Sequence, residues 1–460
     1  MIATPASALL AGLLPAAVQD PQPICLVTTD SREVCPGCVF VAFPGARFDG
    51  HSFAAQAIAQ GAAYVVVNHP VEGVPADRML VCPDSYRAMM IIGANYRKLF
   101  APTVIGVTGS VGKTTTKEFT YAVFSAFGNA QKTEGNQNNE LGVPRTLLRF
   151  DADTQYAVVE MGMSNLGEID RLTRAACPDA AIITCIGVSH LESLGSRENI
   201  LKAKLEICAG MSEGAPLALN GDDPYLRGAQ LPAHVRPVWF ALDDASADVR
   251  AEEITALEDG STRFTLVDAQ YGRFTVTVPI LGRHNVYDAL SAYAVATRLG
   301  LDPARAAAAL SNFRQTGMRQ RVVRCRELDV IEDCYNANPD SMRAALEMFR
   351  DYPCKKRIVL MGDMLELGSV RESAHREAGR QAAACGVQLL VTYGEAAKLA
   401  AAEAAALGVE VICADSHEEA GKALLQAIEP GCALLAKGSR GMQLEKALQY
   451  VYAVQGVLAE

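Results

Sequence analysis

The chain has 460 residues, 50% of them hydrophobic and 20% charged, with a formal net charge of -10. One hydrophobic core stops growing beyond about 250–300 residues, so about three domains are expected. The acidic balance, with an isoelectric point of about 5.4, excludes nucleic acid as a main partner, which needs a basic face, yet leaves room for a small phosphorylated ligand.

Residues 8–18 are apolar enough to imitate a secretory leader. The first basic residue is Arg32, however, and Pro15 interrupts the run, so the segment reads as an amphipathic first helix. No stretch approaches the ~20 apolar residues of a membrane span. A cytoplasmic protein with no membrane span is expected. Thirteen cysteines are scattered, and Cys35-Pro36-Gly37-Cys38 is their one close pair. A zinc or redox site would want a second pair or a histidine cluster, so reduced structural thiols are expected.

Residues 1–101 read as a small α/β unit, with strands at 39–43 and 63–67 and helices at 52–60 and 85–99. Ala101-Pro102 marks a junction. A β-branched run at 103–107 then leads through a loop into a helix at 114–127. Further strands are expected at 156–160, 180–186 and 216–219. Segments 262–267 and 273–278 alternate around a glycine-containing turn and read as an antiparallel hairpin. Helices follow at 286–299 and 303–313, and the polar segment 314–321 reads as a second linker. Beyond it, strands at 330–332, 357–361, 388–392, 409–413 and 433–436 alternate with helices, which predicts a parallel, doubly wound sheet. The expected class is α/β with three domains, 1–101, 102–316 and 317–460, the central one P-loop-like and the last Rossmann-like.

The strongest local signal is Gly106-Val107-Thr108-Gly109-Ser110-Val111-Gly112-Lys113-Thr114-Thr115-Thr116. It follows a predicted strand and opens a predicted helix. Glycines let successive N–H groups turn toward an anion, and the helix N-terminus adds partial positive charge. Gly109, Ser110, Val111, Gly112 and Thr115 would line a phosphate, Lys113 would reach the β- and γ-phosphates, and Thr114 would hold Mg²⁺. The spacing is not the standard one, since five residues separate Gly106 from Gly112. The bland alternative is a glycine-rich turn with a solvated lysine.

The segment Gly-x-Thr-Gly-x-x-Gly-Lys-Thr-Thr resembles the P-loop variant of the Mur ligases and of their relatives, the folylpolyglutamate and cyanophycin synthetases. Glu160 ends an apolar strand beside that loop, where a metal-holding carboxylate belongs, and the Met161-Gly162 after it resembles the family pattern. His190, just after another apolar strand, resembles the family's catalytic histidine and is a candidate second metal ligand. Lys204, in Lys202-Ala203-Lys204-Leu205-Glu206-Ile207, matches the lysine that Mur ligases carbamylate, which the resemblance makes a catalytic residue and a carboxylate-like ligand near Mg²⁺; by composition alone the segment is a charged helix face. His284 and Asn285, in Gly282-Arg283-His284-Asn285, match residues against the adenine, although Asn285 could simply cap a helix. Arg319, Asp333, Tyr335, Asn336 and Asn338 match a third-domain segment that closes over ATP. Other members carry histidine where Asn338 stands, a departure that fits the branch adding D-alanyl-D-alanine.

Three further segments resemble that branch. Ser31, Arg32, Arg47, Asp49, Gly50 and His51 look like a uridine-diphosphate pocket in the first domain. Residues 135–144, with Asn138 and Asn139, look like a central substrate loop, and Asn139 is carried as catalytic. Met361-Gly362-Asp363-Met364-Leu365-Glu366-Leu367-Gly368 with His375, and Lys437-Gly438-Ser439-Arg440-Gly441, look like the third domain. The Asp-Asn-Pro-Arg motif of diaminopimelate-adding ligases is absent. The resemblance implies an ATP-dependent carbon–nitrogen ligase acting through an acyl phosphate. Its substrates would be a UDP-N-acetylmuramoyl-tripeptide and D-alanyl-D-alanine, its cofactors ATP, two Mg²⁺ ions and a carbamate on Lys204, and a monomer is expected. Three rivals stay open at this point: a Mur ligase for another amine, a P-loop kinase or GTPase, and an inactive binding module.

Overall fold

The computed structural model describes residues 1–15, 18–45 and 48–458. Near the N-terminus Leu26–Thr28, Cys38–Val41, Tyr64–Val67 and Met79–Val81 form a four-stranded, all-parallel sheet. Every residue of the two middle strands is buried, which is why they read as unbroken apolar runs. The two outer strands have only three residues each, too short for a pattern to register. Among the described residues of 8–18, the expected helix is limited to the end of a short one, Ala6–Leu9; residues 16 and 17 lie outside the described residues. Gly12 turns the chain at φ +85, and Asn95, on the helix Ser85–Arg97, donates to the Leu9 and Ala11 carbonyls.

The central sheet has nine strands, in the order Gly272–Val278, Thr262–Asp268, Val249–Ala256, Val235–Ala241, Ala215–Asn220, Ala180–Ile183, Thr103–Thr108, Tyr156–Glu160, Ala130–Lys132. Seven strands run parallel and the predicted hairpin adds two antiparallel ones at one edge. The strand expected at 180–186 stops at Ile183, because the Ile186 N–H turns away to donate to Asp223. Helices Lys113–Ser125 and Arg283–Arg298 cover one face. Alanines and other small residues on the second let the two approach closely, and Phe119 stacks on Phe313 with ring centroids 4.0 Å apart. Fully burying a side chain such as Phe119 contributes about 1.5–3 kcal/mol. The helix expected at 303–313 is α-helical only over Pro303–Ala309 and tightens into a 3₁₀ turn at Leu310–Asn312.

The last sheet runs Arg321–Arg324, Leu328–Asp333, Cys432–Lys437, Lys356–Gly362, Leu389–Tyr393, Glu410–Ala414. Five strands are parallel, as the alternation predicts, and Arg321–Arg324 pairs antiparallel at the edge. In the central sheet Thr108 pairs with Ile183, and Val107 with Glu160. The loops after those three strands therefore leave from one sheet edge, where open α/β sheets hold ligands.

Candidate active site

A cavity of about 360 Å³ lies on that edge. Gly109 and Gly112 sit at φ +144 and φ +86, backbone that L side chains avoid. A Cβ on Gly112 would come within 2.7 Å of Asp288 Oδ1. Ser110, Val111, Gly112, Lys113, Thr114 and Thr115 all line the cavity. Lys113 Nζ donates to the Gly109 carbonyl at 2.8 Å. Burial lowers the Lys113 ammonium from its usual value, and Glu160 opposes that fall.

Glu160 is buried and fully engaged. It accepts from Thr114 Oγ1 at 3.0 Å and from Asn138 Nδ2 at 2.7 Å, and Lys117 Nζ stands 3.7 Å away. Thr114 and Glu160 thus bring two hard oxygen donors together at the mouth of the phosphate loop, a donor set that suits Mg²⁺. His190 lines the same cavity at φ +64. Burial, then the nearby Lys113 and Lys204, bring its pKa down to about 4, so the ring is neutral and presents a lone pair at pH 7. Lys204 is 1% exposed and its Nζ has no hydrogen-bond partner. Burial first, and Lys113 second, depress its pKa well below the ordinary lysine value. Lys202 is exposed, so the two lysines of that segment are physically distinct.

The opposite wall comes from residues 314–341 and Lys437. Asn285 Nδ2 donates to the Leu281 carbonyl and to Gln320 Oε1 at 2.8 Å, and Gln320 Nε2 donates to His284 Nε2 at 2.8 Å. Crowding in the cleft holds His284 at a pKa of about 4, with Asp333 opposing. Asn285 does not cap the helix, the alternative reading of that residue: the N-cap position is Gly282. Arg319 lies over the Tyr335 ring at 4.2 Å. Asp333 pairs with the buried Lys437 at 2.7 Å. Asn336 lines the cavity, and its carbonyl accepts from Lys437. Asn338 caps the helix Pro339–Asp351 and donates across the cleft to Ser189 Oγ, while the Val188 N–H donates to Asp340. The two walls are therefore in contact. Gln315, Gln320, Asp288 and Lys437 line this cavity without having been singled out as site residues. No local pattern marks them, although Lys437 lay inside a segment noted for another reason.

Asn138 and Asn139 sit on the rim. Asn139 Oδ1 accepts from the Leu141 and Gly142 N–H groups, so it also fastens the start of the helix Gly142–Leu147. The first-sheet candidates lie apart from the cavity. Ser31 and Arg32 form a 3₁₀ turn capped by Asp30, with Arg32 paired to Asp30 in solvent. Asp49 caps the turn that begins at Gly50. His51 is buried, its Nδ1 is 2.6 Å from Asp49, and its Nε2 accepts from the Asn68 N–H. Both ring nitrogens are thus engaged within the fold, and the ring supports Asp49. Arg47 lies outside the described residues. Arg145, on Gly142–Leu147, donates to Thr29 at 2.6 Å and ties the first sheet to the central one. The cysteines are all free thiols, as expected.

Comparison with known proteins agrees along the chain. Residues 23–97 match the profile "Mur ligase family, catalytic domain", residues 107–296 "Mur ligase middle domain", and residues 318–440 "Mur ligase, glutamate ligase domain". The UDP-N-acetylmuramoyl-tripeptide--D-alanyl-D-alanine ligase of Bacillus subtilis is 39% identical, with 91% of each chain covered, and the Escherichia coli enzyme of that name is 36% identical, with 92% covered. A crystal structure of MurF from Acinetobacter baumannii superposes with a TM-score of 0.88 at 32% identity, over 98% of this chain and 99% of that one. MurF from Thermotoga maritima in complex with ADP superposes with a TM-score of 0.82 at 28% identity, covering 92% and 96%. Three profiles in family order, and relatives above 30% identity along nine-tenths of the chain, make this protein a member of the Mur ligase family.

Proposed function

We propose that this chain is the ATP-dependent ligase that joins D-alanyl-D-alanine to a UDP-N-acetylmuramoyl-tripeptide, releasing ADP and phosphate in peptidoglycan precursor synthesis. The observation that carries the reading is the pair of same-named relatives at 39% and 36% identity over nine-tenths of the chain. The site chemistry agrees with it. The phosphate loop binds ATP, with Lys113 against the terminal phosphates and His284, Asn285, Arg319, Asp333, Tyr335, Asn336 and Asn338 around the nucleoside. The tripeptide carboxylate attacks the γ-phosphorus, ADP leaves, and an acyl phosphate remains. The free amine of D-alanyl-D-alanine then attacks the carbonyl carbon and phosphate departs. Lys113 balances charge on the transferring phosphoryl group. The contacts of Asn338 with Ser189 and of Asp340 with Val188 close the cleft and exclude the water that would hydrolyse the intermediate.

Thr114, Glu160 and His190 are the residues we assign to two Mg²⁺ ions, which when bound would supply Lewis-acid neutralisation of phosphate charge. Lys204 is the residue we assign to carbamylation. Its amine nitrogen would add to CO₂, forming an N–C bond and releasing a proton. That reaction needs the neutral amine, which burial favours here, and the carbamate would give the orphaned Nζ a role as an oxygen-bearing anion. Ser31, Arg32, Arg47, Asp49 and Gly50 are assigned to the uridine-diphosphate end, with His51 behind them, and Asn138 and Asn139 to the peptide end. The divisions at residues 101 and 316, a monomeric state and a cytoplasmic location, where ATP and these precursors occur, belong to the same reading. The test is phosphate release with a panel of UDP-muramoyl peptides and amines. D-alanyl-D-alanine with the tripeptide should be the fastest pair; preference for diaminopimelate with the dipeptide would overturn the assignment.

A further inference from the structure

The segment 361–368 is the one sequence feature that the nucleotide and metal assignments leave unused. It leaves the strand Lys356–Gly362 and is braced by hydrogen bonds to three other segments. Asp363 Oδ1 accepts from the Ala397 N–H at 2.7 Å. The Met364 N–H donates to Nε2 of His375, which is fully buried, and the Leu365 N–H donates to Ser439 Oγ, each at 2.9 Å. Nδ1 of that histidine is held by the Arg371 carbonyl. The loop is thus fixed up to its tip. At the tip stands Glu366, at φ +61 with an exposed side chain. Its Oε2 reaches across the cleft to within 3.9 Å of His190 Nδ1. Gly368 follows, seated over Glu192 of the short helix Leu191–Leu194.

Charge makes this position informative. The cavity is lined by Lys113 and Arg319, which would repel a further cation. The carboxylates that line or close the cleft are engaged: Glu160 by Thr114, Asn138 and Lys117; Glu168 by Ser164 and Asn165; Asp333 by Lys437; Asp288 by Thr116; Asp340 by Val188. Glu192 and Glu366 are the exposed pair beside it. Of that pair, Glu366 is the one whose carboxylate reaches His190, at 3.9 Å. An α-amine has a reference pKa near ~8, so a free peptide arrives mainly as an ammonium ion. We propose that Glu366 binds that ammonium and holds it at the cleft beside His190; the amine attacks the acyl carbonyl after releasing its proton to solvent, and phosphate is the leaving group. The proposal rests on the ligase reading above. The conformation of Glu366 fits it, since glycine would hold this turn with less strain and carries no charge to offer.

The experiment is steady-state kinetics on the full-length chain with each substrate varied in turn. Glu366→Gln should raise the KM for D-alanyl-D-alanine about tenfold or more, the loss of one charge-assisted contact, and leave the KM for ATP and for the UDP-tripeptide within about twofold. Glu366→Asp should fall between. Glu366→Gly removes the charge while easing the backbone, so it should raise the same KM without lowering Tm. Inhibition by N-acetyl-D-alanyl-D-alanine, which has no ammonium, should be the same in wild type and Glu366→Gln. An unchanged amine KM in Glu366→Gln overturns the proposal, and so does an equal rise in all three KM values, which would mean a structural role. If wild type prefers a different amine, the ligase assignment changes, and the same split measured with that amine still decides the role of Glu366.

Discussion

The two walls of the cleft are built in different ways. The central wall is a strand, a turn and a helix in succession, and a few backbone angles fix its phosphate-binding groups. The opposite wall is a web of side chains from distant parts of the chain: Asn285 to Gln320 to His284, Arg319 on Tyr335, Lys437 to Asp333. The first can be written as a short motif because its geometry is local. The second exists only after the third sheet has folded and docked. Strain marks their meeting. Of the six non-glycine residues at positive φ among those described, His190, Gln320 and Glu366 lie on the cleft, where strained backbone tends to be kept.

The central wall should be the more sensitive of the two to a single substitution. Lys113→Ala removes the one cation of the phosphate loop, on a residue that supports no core. Phosphate release should fall by at least about 10²–10³-fold, as for loss of one preorganised charge contact in a transition state. Circular dichroism should stay that of wild type. Turnover near wild type in a folded variant would remove the loop from the mechanism.

Lys204 is the next largest test, and it sharpens the contrast between motif and environment. Lys204→Ala should lose most activity and keep measurable nucleotide affinity, because the phosphate loop remains. If the proposed carbamate is present in the wild type, acetate should restore part of the rate by replacing its charge in the vacated space. Lys202→Ala, on an exposed neighbour, should be nearly silent. A sensitive Lys202, or a fully active Lys204→Ala, would refute the assignment.

These two lysines also show what the sequence could carry. The phosphate loop, Glu160, the hairpin and the five parallel strands of the last sheet were legible because each is a local pattern with a physical cause. Lys204 was separable from Lys202 only by resemblance; burial of one and exposure of the other is a tertiary fact. Gln320 and Asp288 gave no signal. Gln320 lies in a polar linker, and Asp288 looks like any polar position on a helix until Gly112 is seen to lie against it. His51 stood in a motif that could be read from the sequence, but the engagement of both its ring nitrogens is visible only in the fold.

The opposite wall should break more gently, and through stability. Lys437→Met leaves the Asp333 carboxylate, largely buried, without its cation. Breaking such a pair costs about 3 kcal/mol, so Tm should drop by several degrees and the KM for ATP should rise. Adding Asp333→Asn should recover part of the stability, because the stranded charge is gone, but not the KM. If Lys437→Met melts like wild type, the ion pair does not hold this wall.

The smallest expected effect lies at the seam between the walls, where Asn338 has two tasks. Its Oδ1 accepts from the Ser341 N–H as a helix cap, and its Nδ2 donates to Ser189 across the cleft. Ser189→Ala removes the second task and spares the first. A neutral hydrogen bond contributes about 1 kcal/mol, equivalent to about fivefold in the balance between closed and open forms. Ser189→Ala should therefore change the apparent affinity for ATP by up to about fivefold with Tm almost unmoved, since the helix keeps its cap. Asn338→Ala loses both contacts. It should show the same affinity change together with a fall in stability of about 1 kcal/mol, the usual effect of removing a cap. If Ser189→Ala lowers Tm as much as Asn338→Ala does, the seam contact belongs to the folded core of the protein and is not part of closure over the nucleotide.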